Sequence, residues 1–160
     1  MKQKFISISV AFLSLLLLVA GCRKRDADLA DNLVVFETSA QGITASENSI
    51  TVKLKLVRGT DRDIPVTINL VEEGVVYGTD YTTTPAAVAG KLTITIPSGN
   101  NETSFTLTKK SGVLFDGDEK IVFDLFSSGT PVFIGVARQF TLSFAELVAA
   151  NSTLTINGGG

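Results

Sequence analysis

The stretch Ser49-Ile50-Thr51-Val52-Lys53-Leu54-Lys55-Leu56-Val57 alternates aliphatic and polar side chains through Leu56. A period of two puts Ile50, Val52, Leu54 and Leu56 on one face and Thr51, Lys53 and Lys55 on the other, the pattern of a half-buried strand. The same alternation recurs downstream. Val66, Ile68 and Leu70 flank Thr67 and Asn69, and Leu92, Ile94 and Ile96 flank Thr93 and Thr95. Phe105 and Leu107 lie between Ser104, Thr106 and Thr108, and Ile121, Phe123 and Leu125 alternate with Lys120, Val122 and Asp124. Phe140, Leu142 and Phe144 close the series, and Leu33 to Phe36 opens it. Turn residues separate these runs: Arg58-Gly59-Thr60-Asp61, Gly78-Thr79-Asp80, Pro97-Ser98-Gly99-Asn100-Asn101 and Ser127-Ser128-Gly129. Pro65 stands at a strand start, where its missing N–H costs no ladder bond. The expectation is an all-β fold, an antiparallel immunoglobulin-like sandwich of about seven strands.

Composition narrows the chemistry. The chain of 160 residues has no histidine, no tryptophan, one methionine (Met1) and one cysteine (Cys22). Ser-His-Asp and Cys-His catalysis therefore have no residues to run on, and zinc sites built from His and Cys have no ligands. No internal disulfide can form, so the fold rests on its apolar core. Tyr77 and Tyr81 are the only tyrosines, too few for a broad sugar-stacking platform. A formal net charge of −2 gives no basic surface for nucleic acid. The expectation is a non-enzymatic protein with no nucleic-acid partner.

The N-terminus has its own pattern. Met1-Lys2-Gln3-Lys4 is basic, and Phe5 to Ala20 is apolar except for Ser7, Ser9 and Ser14. A run this short, this close to the start, fits a signal peptide better than a membrane span. It ends in Val19-Ala20-Gly21-Cys22, which resembles the lipobox of bacterial lipoproteins. That resemblance implies cleavage before Cys22, lipid on its thiol and attachment to a membrane by several acyl chains; each buried CH₂ contributes about 0.8 kcal/mol. No aspartate stands directly after the cysteine, where Arg23 is found, so the expected address is the bacterial outer membrane, facing either side. The domain plan is a signal peptide over 1–21, a tether over 22–32 carrying Arg23-Lys24-Arg25, a sandwich over 33–146, and a tail or linker over 147–160 ending Gly158-Gly159-Gly160.

Within the sandwich, the order Glu47-Asn48, Val57-Arg58-Gly59, Pro65-Val66-Thr67, Gly78-Thr79-Asp80-Tyr81, Gly90-Lys91-Leu92-Thr93, Pro97-Ser98-Gly99 and Asp118-Glu119 resembles Calx-β domains. The resemblance runs from about Leu33 to Phe144 and implies an immunoglobulin-like sandwich, a family in which several members bind calcium. In an up-and-down order of seven strands, the loops after the first, third and fifth share one end. Glu47, Glu73 and the group Asp116, Asp118 and Glu119 lie in those loops and match positions near the family's calcium cluster. Calcium takes six to eight oxygens, several of them carboxylates. Two departures count against it: Lys109-Lys110-Ser111 replaces the family's aspartates after the fifth strand, and only Glu146 follows the last one.

Without a metal these residues have simpler roles. Asp116-Gly117-Asp118-Glu119 and Glu72-Glu73-Gly74 read as solvated turns, and Lys109 as a salt-bridge partner for their carboxylates. Gly78 reads as a positive-φ turn residue, Asp80 as its cap and Tyr81 as a ring packed at the sandwich rim. The leading functional expectation is a lipid-anchored cell-envelope module for adhesion, assembly or spacing, with the membrane and an envelope or extracellular protein as partners. The alternatives are a calcium-binding Calx-β domain and the N-terminal module of a larger surface receptor.

Overall fold

The computed structural model describes residues 30–145. The signal segment, Cys22, all but the last residues of the tether, Glu146 and the tail lie outside the described residues. Among the described residues ten strands follow one another: β1 (Asn32–Phe36), β2 (Ala40–Ile43), β3 (Ser49–Leu56), β4 (Ile64–Glu73), β5 (Tyr81–Thr84), β6 (Lys91–Ile96), β7 (Glu102–Lys109), β8 (Lys120–Ser128), β9 (Val132–Ile134) and β10 (Gln139–Phe144). They form two five-stranded sheets, ordered β5-β7-β3-β1-β9 and β2-β10-β8-β4-β6. The all-β sandwich class and the strand built on Ser49–Leu56 are as expected, and the burial of β3 alternates at every residue.

The count of about seven strands falls short by three, β2, β5 and β9. Each is only three or four residues long, too short for alternation to show. The sheets are also not purely antiparallel. The chain leaves the first sheet after Phe36 and joins the second at Ala40. Each of these two strands gains a parallel neighbour, β1 with β9 and β2 with β10.

The inner faces supply the core. Val34, Val52 and Leu54 of the first sheet face Ile68, Phe123, Leu125 and Leu142 of the second, all nearly inaccessible to water. Rings from the two sheets meet directly, Phe105 and Phe123 with centroids 5.0 Å apart and Phe36 and Phe140 at 5.8 Å. A register shift between Thr67 and Ile68, opposite Leu125 and Ser127, leaves Phe126 as an extra residue in β8. This bulge turns the Phe126 ring outward, where the Lys91 Nζ lies 4.8 Å from its centroid.

The registers define two ends. Ser49 is opposite Thr108, Glu73 opposite Lys120, Lys120 opposite Ser143, and Phe144 beside Ile43. The β2–β3, β4–β5 and β7–β8 connections therefore gather at the end where β10 finishes. β1 begins at the other end, beside the β3–β4 connection, where the Val57 N–H donates to the Leu33 carbonyl.

Candidate functional site

The end of the sandwich where β10 finishes collects the acidic residues singled out by sequence, as the loop order leads one to expect. The carboxylates of Glu47, Glu73, Asp116 and Glu119 are each engaged close by. In the β2–β3 loop, Glu47 accepts from the Thr44 N–H and the Thr44 hydroxyl, both at 2.8 Å. Those bonds, backbone first, hold its carboxyl below the usual carboxylate range. Glu73 is not a turn residue but the last residue of β4, and it pairs with Lys120 at 2.9 Å across the ladder.

The β7–β8 loop is tied by its own acids. Asp116 accepts from the Asp118 N–H at 3.2 Å. Glu119 accepts from the N–H groups of Asp116 and Gly117, both at 3.0 Å. Desolvation pushes the Glu119 carboxyl up, but the amides of Asp116, Glu119 and Gly117 together outweigh it and leave it below its ordinary value. These are turns closed by side-chain-to-backbone bonds, which aim the oxygens at their own loop.

Lys109, at the end of β7, does not pair with these acids. Its Nζ donates to the carbonyls of Thr44 at 2.8 Å and Ala45 at 3.2 Å and lies 5.9 Å from the Phe115 ring centroid. The ammonium thus fastens the β2–β3 loop to the end of β7. A recess of about 260 Å³ lies beside it, lined by Ala45, Asn48, Lys110, Val113 and Phe115.

Beneath the loops an aromatic chain closes the sandwich. Phe115 stacks on Phe144 at 4.4 Å, Phe144 lies 6.5 Å from Tyr81, and Tyr81 meets Tyr77 edge-on at 5.4 Å. Tyr81 is fully buried rather than at the rim, and its hydroxyl donates to the Glu72 carboxylate at 2.5 Å. Burial pushes the Tyr81 phenol far above its ordinary range, and the Glu72 carboxylate adds to the rise. Gly78 has the expected positive φ of 83°, and Asp80 closes the turn by accepting from the Val76 N–H at 2.7 Å. The Glu72–Tyr81 pair escaped the sequence reading because its members lie on β4 and β5, and β5 itself was not visible as a strand.

A calcium ion needs several carboxylates converging on one point. Among the described residues no group of three or more acidic, histidine or cysteine side chains is close enough to hold a metal ion. Glu47, Glu73, Asp116, Asp118 and Glu119 share an end without sharing a centre, and Lys109 and Lys120 bring positive charge to the same loops. The donor set in this arrangement does not fit calcium.

No protein-family model and no curated protein matches the sequence. Among solved structures, the chain is similar to the apo form of the Calx CBD1 domain, with a TM-score of 0.58 and 18% identity over 72% of this chain and 96% of that one. It is similar to the Calx CBD2 domain with a TM-score of 0.57 and 11% identity, covering 72% of this chain and 87% of that one. A third similar structure is the calcium binding domain CBD12 of CALX1.1, with a TM-score of 0.57, 18% identity, and coverage of 71% of this chain and 45% of that one. At these identities the likeness shows the fold: a two-sheet, all-β sandwich of the Calx-β kind.

Proposed function

We propose that this protein is a lipid-anchored module of the bacterial cell envelope, held at the outer membrane through Cys22, whose sandwich serves adhesion, assembly or spacing without catalysis. The observation that carries this reading is the direction of the chain through the fold. It enters at Asn32 at one end of the sandwich and finishes β10 at Phe144 at the other. A strand such as β3, with eight residues, is about 27 Å long. With an N-terminal anchor the chain enters the sandwich at the end opposite the acidic loops, and those loops are the end an envelope or extracellular protein would meet. The Val19-Ala20-Gly21-Cys22 sequence supports the anchor, and the lack of histidine and of any thiol beyond Cys22 supports a non-catalytic role.

Calcium is not part of this proposal, because Glu47, Asp116 and Glu119 are engaged in their own loops and Glu73 on Lys120. The testing experiment is membrane fractionation of the full chain and of Cys22→Ser. The variant should leave the membrane fraction while keeping the β-sheet circular dichroism of the parent. Retention in the membrane contradicts the anchor. A hydrolytic or transfer activity abolished by one carboxylate substitution contradicts the non-catalytic role.

A further inference from the structure

At the end where the chain enters, β1, β9 and the residue that follows β3 place apolar side chains in one row on the outer face of the first sheet. Leu33 of β1 is in register with Phe133 of β9, and the Val57 N–H beyond β3 bonds to the Leu33 carbonyl at 3.3 Å. Their neighbours in sequence, Val34, Leu56 and Val132, all point into the core, so Leu33, Val57 and Phe133 point outward. Phe133 is 55% exposed and Val57 63% exposed, although both are large apolar side chains. Val35 extends the row, lying over Gly135 so closely that a Cβ there would sit 2.5 Å from its Cγ1. The row is also tied to the start of the β3–β4 connection. Asn32 is buried beneath it, and its carboxamide grips the Arg58 backbone with bonds of 2.8 and 3.1 Å.

We infer that this row, Leu33, Val35, Val57 and Phe133, docks the sandwich against the lipid bilayer that holds Cys22. The inference rests on the lipid-anchor reading above. Nine residues lie between Cys22 and Asn32. Fully extended, the ten Cα–Cα steps reach about 35 Å, which keeps the entry end within that distance of the membrane surface. Within that reach docking is intramolecular, and a tethered patch needs little intrinsic affinity to be occupied. The tether carries Arg23-Lys24-Arg25, which draws the same end toward anionic headgroups. Lipid is the occupant whose position is already set by where this chain is fastened; a second copy or a protein partner has no such constraint.

The test uses the full-length lipoprotein reconstituted in vesicles of phosphatidylethanolamine and phosphatidylglycerol. Its one native cysteine carries the lipid, so a second can be labelled alone with a polarity-sensitive fluorophore. In Phe133→Cys the label should emit to the blue and be quenched by brominated lipid. In Leu114→Cys, at the opposite end and 75% exposed, it should do neither. An independent variant, Val57→Ser, should weaken quenching at position 133 without lowering the melting temperature. If the label at 133 is unquenched while the protein floats with the vesicles, the docking inference is overturned and the anchor stands. If the protein does not float, the anchor fails and the inference falls with it. A blue shift without bromolipid quenching that grows with protein density marks a second copy on the row, and also overturns it.

Discussion

The carboxamide of Asn32 holds the Arg58 backbone on both sides, Nδ2 donating to the Arg58 carbonyl and Oδ1 accepting from the Arg58 N–H. One side chain thereby continues the β1–β3 pairing past Val57, whose N–H still bonds the Leu33 carbonyl. Asn32 is 4% exposed, so neither bond has water as a ready substitute. Asn32→Ala should destabilise the domain by about 1–3 kcal/mol, because two backbone groups lose their partner under cover. Asn32→Asp should also destabilise, since it keeps the acceptor and loses the donor. Urea unfolding of both variants checks this, with an unchanged m-value expected.

Tyr81 gives the fold a basic limit. Its phenol is raised above its ordinary value of 10.0 by burial first and by the Glu72 carboxylate second. Below pH 10 both folded and unfolded tyrosine are protonated, and the full contribution is present. Above pH 10 the unfolded chain loses the proton more readily than the folded one, so stability falls as pH rises. Tyr81→Phe should flatten this alkaline decline. At neutral pH it should cost about 1–3 kcal/mol through the lost hydroxyl bond to a charged acceptor. Thermal melts from pH 7 to 11 read both effects.

Asp124 acts at the acid limb. The Arg138 guanidinium, with bonds of 2.8 and 2.7 Å, holds the Asp124 carboxyl below its ordinary 3.8 against partial burial. Its contribution is complete above the unfolded value and is lost as pH falls through the depressed folded value. Arg138→Gln should move the acid-unfolding midpoint to higher pH, and added salt should shrink the difference between variant and parent. Acid titration followed by circular dichroism at two salt concentrations tests this.

Lys109 should matter more to the loop end than calcium does. Lys109→Met removes both bonds to the Thr44 and Ala45 carbonyls. It should lower the melting temperature by several degrees and speed amide exchange across residues 44–48. Millimolar calcium should leave the parent's melting temperature unchanged, since only a ligand that prefers the native state raises it. A calcium-dependent rise in the parent would mean that the carboxylates of this end can be drawn together after all.

Alternation made most of the fold legible, because a face in contact with a core repeats every second residue and β3, β6 and β8 are long enough to show it. Strands of three or four residues offer no such repeat, so β2, β5 and β9 stayed hidden, and with them the two parallel pairs. Residue types marked the acidic end correctly, and loop order put its members together. Their orientation was not legible, because a carboxylate bonded to its own loop and one aimed at a shared ion have the same sequence. Lys109 shows the limit most clearly: its charge suggested a carboxylate partner, and the fold gave it the Thr44 and Ala45 carbonyls instead.

By itself the sequence determined which side chains of the long strands face the core, that no internal disulfide or histidine chemistry exists in this chain, and that Cys22 follows a lipobox-like stretch. Those properties are local or compositional, and no folding is needed to read them. Only the tertiary structure decided that Leu33, Val57 and Phe133 form one row, that Tyr81 is buried against Glu72, and that five acidic residues share an end without sharing a centre. Each of these depends on strands far apart in sequence coming into register, and register is set by how the two sheets close over one core.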